Sequence, residues 1–419
     1  MSQRYKSFEV FGYMNNEVIQ SIRSEELKER VLSIIDKIFQ GKEELWGYIR
    51  YIHMVDHGER HTRNVMDLLT RFLVYSQRQL LNELTDMEKF CLIFAVWFHD
   101  VGGRGLSEQD EKFLNFLYTR GEHPWVGERI FIKMATRFGF SDEERHIIGE
   151  IIPAHSSKEN IDKLPKEAIV NNQLIRPRLL ASILSFIDAC DTREQRVGGD
   201  EGVEAALEEI KVMEKDVRKN LKEMKDDLEE KRYLYEILKL QHEKDKLSRL
   251  RKRMRKLERK IELYEAYLKF YREAPDHFYK HLSVREVYFT PESVILEPNY
   301  PIGKVYPKGR PFMDYFNMAL EDIRKEFERV KGYFNEYGIT IKEIRAYDEN
   351  RNYVEEVKKQ QSVKIALEDA RKEFKRLVKR RRTSEIMLNI GWPFEISIPL
   401  DLAIESISSF LRSLRKKGL

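Results

Sequence analysis

Residues 90–103 read Phe-Cys-Leu-Ile-Phe-Ala-Val-Trp-Phe-His-Asp-Val-Gly-Gly. A strongly apolar run, part of a helix-like pattern over Thr85–His99, ends in an imidazole and a carboxylate, and a glycine pair then supplies a turn. A helix end of this kind can aim the two neighbouring side chains at one point. Imidazoles and carboxylates in apolar helical surroundings are costly unless something binds them. The reading therefore turns on which other polar groups meet His99 and Asp100.

Two helices supply candidates. His61 is followed by Val65, Leu68, Leu69 and Phe72 at offsets of four, seven, eight and eleven, so its ring shares the apolar face and points inward. Leu180 and Leu184 lie eight and four residues before Asp188, which puts a carboxylate on the buried side of its helix. Together with His99 and Asp100 these residues make a mixed nitrogen and oxygen donor set for a divalent metal, with positions left for water. Such a site is open and catalytic in type rather than closed and structural. His123, before Pro124, and His155, after the apolar run Ile147–Ile152, are further candidates. Pro124 suits the first position of a helix. For any single histidine the plainer reading is a satisfied core or capping residue; the joint pattern is what points to metal.

The surroundings of these residues are helical. Apolar patterns of helical period cover Ser24–Phe39, Arg60–Leu81, Pro124–Phe138, Asp142–Ile152 and Pro177–Asp191, and almost nothing up to residue 195 reads as a strand. Residues 1–200 are thus expected to be an all-α unit. Gly198-Gly199 marks a break. From Val203 to Ala274 there is neither Gly nor Pro, and charged residues dominate. Leu250, Met254, Leu257, Ile261, Tyr264, Leu268 and Tyr271 step by four and three, the coiled-coil period, and Val217, Leu221, Met224 and Leu228 do so earlier. The segment 203–275 is either one helix on the order of 100 Å long or an antiparallel hairpin folded near Gln241–Lys246, in which two stripes of one chain cover each other. Residues 276–419 read as a small α+β module: a β-hairpin from Val284–Phe289 and Val294–Pro298, a helix over Phe312–Tyr337 stopped by Gly338, a strand over Ile339–Tyr347, and helices over Val354–Arg382 and Leu400–Lys416. The fold class is mainly α.

At 419 residues the chain is long for one domain, and its 42% of hydrophobic residues are enough for real cores. No apolar run approaches the length of a membrane span, and the first residues lack the layout of a signal peptide. Two cysteines, Cys91 and Cys190, exclude a disulfide framework, so a cytoplasmic location is expected. Net charge is only +4, so local clusters matter more than the average.

His61 in His-Thr-Arg-Asn-Val, then Phe98-His99-Asp100-Val101-Gly102, then Asp188 in Phe-Ile-Asp-Ala-Cys-Asp resemble the H…HD…D signature of the HD-domain metal-dependent phosphohydrolases. The resemblance covers roughly residues 50–196. It implies a helical bundle around the metal, with His61, His99, Asp100 and Asp188 as ligands. His123 and His155 stand where binuclear members, which include cyclic-dinucleotide phosphodiesterases and the nuclease module of CRISPR helicase-nucleases, carry extra histidines for a second ion. The chain departs from those members in three places. His155-Ser156 replaces a frequent His-His, no Gly-Tyr-Pro follows His155, and Gly102-Gly103-Arg104 replaces a frequent Gly-Lys, leaving Arg104 as a phosphate contact.

The chemistry implied is hydrolysis of a phosphoester or phosphodiester, with nucleotide-type substrates foremost. One or two divalent ions (Mn²⁺, Mg²⁺, Fe²⁺, Ni²⁺ or Co²⁺) would activate water and neutralise charge on phosphoryl oxygens. Asp100 would orient the nucleophile, and Arg104 or Lys133 would bind phosphate. His57, Arg60, Arg63, Arg193 and Arg196 are weaker candidates for contacts of this kind, and most such cations are ordinary solvated charges. Between Lys244 and Lys260 there are ten basic and two acidic residues, and Lys379–Arg382 adds a second cluster. These runs suit a nuclease that guides a single strand. The bland reading pairs them with the acidic run Glu223–Glu230 on an opposing arm. A third reading, from another class, is a non-catalytic metal-binding scaffold. The coiled coil allows homo-oligomers in every case.

Overall fold

A computed structural model describes residues 16–40, 58–104, 114–299 and 311–346, together with the backbone of 385–389 and 395–399; of 103–104 and 114–121 too it describes the backbone alone. It divides into a large unit, residues 1–300 with 306–346, and a small one, 301–305 with 347–419.

In the large unit the N-terminal helices are α1 (Glu17–Gln20), α2 (Glu25–Gln40), α3 (Glu59–Arg71), α4 (Arg78–Glu83) and α5 (Asp86–Phe98). Helix α5 is the core. Thr85 and Glu88 form a reciprocal capping box at its start, and every residue from Met87 to Phe98 is buried. A helix apolar all round can only be covered all round. Trp97 meets Phe39 of α2 edge-on at 5.4 Å, while Phe90, Phe94 and Phe98 pack on Phe140. The one buried carboxylate of this helix is fully used: Glu88 accepts from the Thr85 backbone and from the backbone, Nε and Nη2 of Arg176. Breaking such a buried pair on one side costs about 3–5 kcal/mol.

Helices α6 (Leu114–Phe138), α7 (Asp142–Ile151) and α8 (Pro177–Cys190) complete the bundle. Pro124 is not the first residue of its helix, as the His-Pro pair suggests, but lies inside α6. The helix-forming residues before it carry the helix upstream, and the ring forfeits one ladder bond. Similarly, the pattern over Arg60–Leu81 is three pieces, α3, a π-helical turn at Phe72–Ser76, and α4. The all-α expectation also misses a two-stranded hairpin, β1 (Ala168–Val170) with β2 (Gln173–Ile175), turned by Asn171 and Asn172 at φ of 48° and 60°. Asparagines tolerate that left-handed conformation.

Two long helices follow, α9 (Gly199–Leu240) and α10 (Lys244–Leu282). They fold back at Gln241–Glu243, where His242 has φ of 55°. Lys225 pairs with Glu265 at 2.7 Å and Arg232 with Glu258 at 3.2 Å, so the arm is antiparallel. Its seam is Leu221, Leu228 and Ile261, with Met224, Met254, Leu257, Tyr264 and Leu268 against them. Helix α10 continues through Pro275 to Leu282. Strand β3 (Val284–Phe289) then pairs antiparallel with β4 (Ser293–Pro298), and β5 (Glu343–Ala346) joins β4 in parallel after α11 (Phe312–Glu336) crosses over. Gly338, at φ of 74°, ends the turn after α11. The crossover helix lies on α8: Phe327 and Phe334 meet Phe186 at 5.9 and 5.4 Å.

In the small unit, β6 (Glu385–Asn389) and β7 (Glu395–Pro399) pair antiparallel. The helices expected over Val354–Arg382 and Leu400–Lys416, and the Lys379–Arg382 cluster, lie outside the described residues. Among the described residues no helix is long and apolar enough to cross a membrane.

Candidate metal centre

The site lies where α3, the C-terminal end of α5, α6, the turn after α7 and α8 converge. His61 is fully buried on the apolar face of α3. Its Nδ1 lies 2.7 Å from Asp191 Oδ2, and its Nε2 lies 3.0 Å from His99 Nε2, 3.0 Å from Asp188 Oδ1 and 3.3 Å from Asp100 Oδ2. His99 donates Nδ1–H to the Val96 carbonyl at 2.8 Å, and His155 donates to Ile152 at 2.6 Å. A carbonyl only accepts, so in both rings Nδ1 carries a proton and Nε2 is the nitrogen that faces the centre. Asp191, held ionised, accepts in the same way from His61. The result is imidazole nitrogens facing one another and facing carboxylates, an arrangement that needs a positive charge between them, either a proton or a metal ion.

Two donor groups result: His61, His99 and Asp188, and Asp100, His123 and His155, each with ligand atoms within 4.8 Å of one another. Asp100 faces both. Its Oδ2 is 3.3 and 3.5 Å from His61 and His99, and its Oδ1 is 3.4 and 3.7 Å from His123 and His155. His123 Nε2 is 3.3 Å from His155 Nε2. Donors at about 2.1 Å from one ion and at right angles are roughly 3 Å apart, so the spacing and the donor types fit divalent metals.

Electrostatics agree. Burial and Arg196 press the His61 pKa down, yet hydrogen bonds with Asp100, Asp188 and Asp191 outweigh them and hold it well above the usual histidine value. Burial alone would raise Asp188 and Asp191; His61 and His99 hold the first well below the carboxylate range, and His61 with Arg196 and Arg193 lowers the second. His155 is pushed down to about 4 by burial and by His99, so it stays neutral with its lone pair free. The centre therefore draws in positive charge, a proton on His61 in the metal-free protein and a divalent cation once that proton is displaced.

Glycine 102 makes the approach possible. A Cβ there would lie 1.9 Å from the His123 carbonyl and 2.4 Å from the Gly127 nitrogen. The short turn after Asp100 can therefore press against α6 only with no side chain. On the far side, Arg329 of α11 donates to the carbonyls of Ala154 and His155 at 3.3 and 3.4 Å and to Ser185 Oγ, which lies 2.9 Å from His155 O.

The cations named from sequence fare differently. Lys133 is exposed, ten residues along α6 from His123 and thus roughly 15 Å away along the axis; it is not brought to the cluster. The side chain of Arg104, and all of His57, lie outside the described residues. Arg193 is buried and bridges Asp67 and Glu286 at 3.2 and 3.0 Å, while Arg63 pairs with Glu59. Arg196 donates to the Asp191 carbonyl at 3.0 Å. Cys91 and Cys190 are buried free thiols that burial pushes up in pKa. Asp191 was missed in the sequence, although it follows Asp188 by three positions and therefore shares its side of the helix end.

Nothing matches this chain among curated proteins or among solved structures. The HD-CE family model matches residues 51–199. That span carries every member of the two donor groups, and the match together with their convergence fits an HD-type domain over residues 51–199.

Proposed function

We propose that this domain is a metal-dependent phosphohydrolase that cleaves a phosphoester or phosphodiester bond, with a nucleotide-type compound as substrate. The observation that carries the reading is Asp100, whose two carboxylate oxygens each face a different histidine group. Such a carboxylate suits a pair of ions. Divalent metal, when bound, lowers the pKa of a water toward neutrality and neutralises charge developing on phosphoryl oxygens. The mixed imidazole and carboxylate set suits Mn²⁺, Fe²⁺, Co²⁺, Ni²⁺ or Mg²⁺.

The chain's own residues divide the work by exposure. His61 and His99 are sealed and hold position through Asp191 and Val96. Asp188 and His123 keep 22% and 25% of their side chains accessible, so they form the mouth through which a phosphate group enters. Asp100 stands between the groups, 5% exposed, and is the residue best placed to orient a nucleophile.

The test is hydrolysis with added Mn²⁺ across nucleoside triphosphates, cyclic nucleotides, and single-stranded DNA and RNA, beside Asp100→Ala, with metal content measured on both. Turnover that is lost in the variant supports the reading, and the best substrate names the class. Metal bound by the native chain without turnover on any of these would overturn it in favour of a non-catalytic metal-binding scaffold.

A further inference from the structure

The two helices of the arm treat their charges differently. On α9, five of the nine bases are matched along the same helix: Lys211 with Glu208, Arg218 with Glu214, Lys219 with Glu223, Lys231 with Asp227 and Lys239 with Glu236. On the distal half of α10 they are not. Lys252, Arg255, Lys256 and Arg259 are exposed, and none of them has an acidic partner among the described residues. They fall at i, i+3, i+4 and i+7 and so share one face, where like charges at this spacing repel.

The opposing helix does not neutralise them either. The cross-arm pairs Lys225–Glu265 and Arg232–Glu258 fix the register, which sets the acidic run Glu223–Glu230 against the residues around 260–267. Opposite residues 249–256 lie residues 234–241, whose single acid, Glu236, pairs with Lys239 of its own helix. The acidic pairing expected from composition is therefore displaced by about two helical turns from the strongest part of the basic run.

We propose that the distal half of the arm binds the phosphodiester backbone of single-stranded nucleic acid. A row of unpaired cations along a straight helix matches a row of phosphates. The distal arm also carries aromatic rings: Tyr233 is 73% exposed, and the guanidinium of Arg251, on the flank of the basic face, sits 5.5 Å from the Tyr235 ring. Exposed rings beside a basic track let bases stack without regard to sequence. An anionic lipid surface would need an apolar face on the same helix, and that of α10 is spent in the seam, with Leu250 buried and Met254 and Leu257 packed against α9. The surface acts through binding alone, and it stands whether or not the metal centre hydrolyses phosphoesters.

The experiment is fluorescence anisotropy of a labelled single-stranded DNA oligonucleotide with the full chain over a salt series, within the time that gels show the oligonucleotide intact. One variant carries Lys252→Ala, Arg255→Ala, Lys256→Ala and Arg259→Ala. A control carries Lys211→Ala, Arg218→Ala, Lys219→Ala and Lys231→Ala; each set takes the formal net charge from +4 to 0. Circular dichroism verifies that both remain helical. The native chain is expected to bind with affinity falling as salt rises. The α10 variant should bind at least about tenfold more weakly at about 0.1 M salt, with a log–log salt slope shallower by about 3, at about 0.7 per phosphate contact. The control should lose less than about threefold. Equal losses in both variants, no loss in the α10 variant, or no binding by the native chain would overturn the proposal. So would co-sedimentation with phosphatidylserine vesicles in preference to the oligonucleotide.

Discussion

His61 and Asp191 are joined by a 2.7 Å contact between Nδ1 and Oδ2, and that contact decides which nitrogen of the ring faces the other donors. The carboxylate is fully buried, with Arg193 and Arg196 beside it at 3.6 and 3.9 Å, so it stays charged. Replacing it with Asn keeps the volume and removes the charge that makes the imidazole basic. Asp191→Asn is expected to lower metal affinity about 10- to 100-fold and to move the His61 pKa of the metal-free protein down toward the ordinary histidine value. Calorimetric metal titration and an NMR pH titration check the two effects separately. A variant that merely loosened the fold would weaken binding without moving the pKa in that direction.

Metal binding should depend on pH in a way set by His61. Its pKa in the metal-free folded protein lies well above the unfolded value. The stability it contributes is therefore fully present below about pH 6.5 and is lost as pH rises through the raised value. At neutral pH the ring carries a proton that must leave before Nε2 can bind a metal, so binding releases a proton and apparent affinity falls as pH is lowered. His155, at about 4, adds no further proton above pH 5. Calorimetry at pH 7 in two buffers of different ionisation enthalpy measures the release; identical heats in both would reject it.

Gly102→Ala tests the close contact between the turn after Asp100 and α6. The added methyl would meet backbone atoms of His123 and Gly127, which cannot swing aside as a long side chain would. The turn and helix must separate, and His123 moves away from Asp100. Expected is a destabilisation of about 1–3 kcal/mol in urea unfolding, typical of overpacking, with metal binding impaired beyond what the loss of stability explains. Gly139→Ala serves as the control for adding a methyl in open space, since nothing lies within 4 Å of a Cβ there, although its φ of 88° carries a strain of its own. Intact metal binding in the Gly102 variant would show that the contact can relax.

Much of this was legible in the residues themselves. Periodicity alone turned His61 inward, with Val65, Leu68 and Leu69 beside it in the core, and marked a carboxylate on the packed side of α8. The apolar run Phe90–Phe98 announced the central helix. What could not be read is what depends on distant partners. Asp191 looks like a helix-end aspartate until the chain brings His61 to it from 130 positions away. Lys133 shares a helix with His123, but a helix separates residues that sequence keeps close. The basic and acidic runs of the arm look complementary by composition, and only the register of the hairpin shows them offset.

Arg329 is the most distant of these partners, since it lies beyond the residues that match the family model. Its guanidinium holds the Ala154 and His155 carbonyls and Ser185, while Glu326 accepts from it at 2.6 Å and from Ser185 Oγ at 2.5 Å. It therefore positions the His155 turn without touching the donor atoms. Arg329→Ala leaves those carbonyls short of a donor and a carboxylate without its cation, at a cost of about 2 kcal/mol. The group of Asp100, His123 and His155 should then loosen, while that of His61, His99 and Asp188, held by Asp191 and Val96, keeps its form. Metal content per chain is expected to fall toward one ion, with Arg329→Lys recovering little because an ammonium cannot copy the planar fork. Elemental analysis after dialysis decides it: unchanged metal content and affinity in Arg329→Ala would mean that the turn after α7 holds His155 without help from α11.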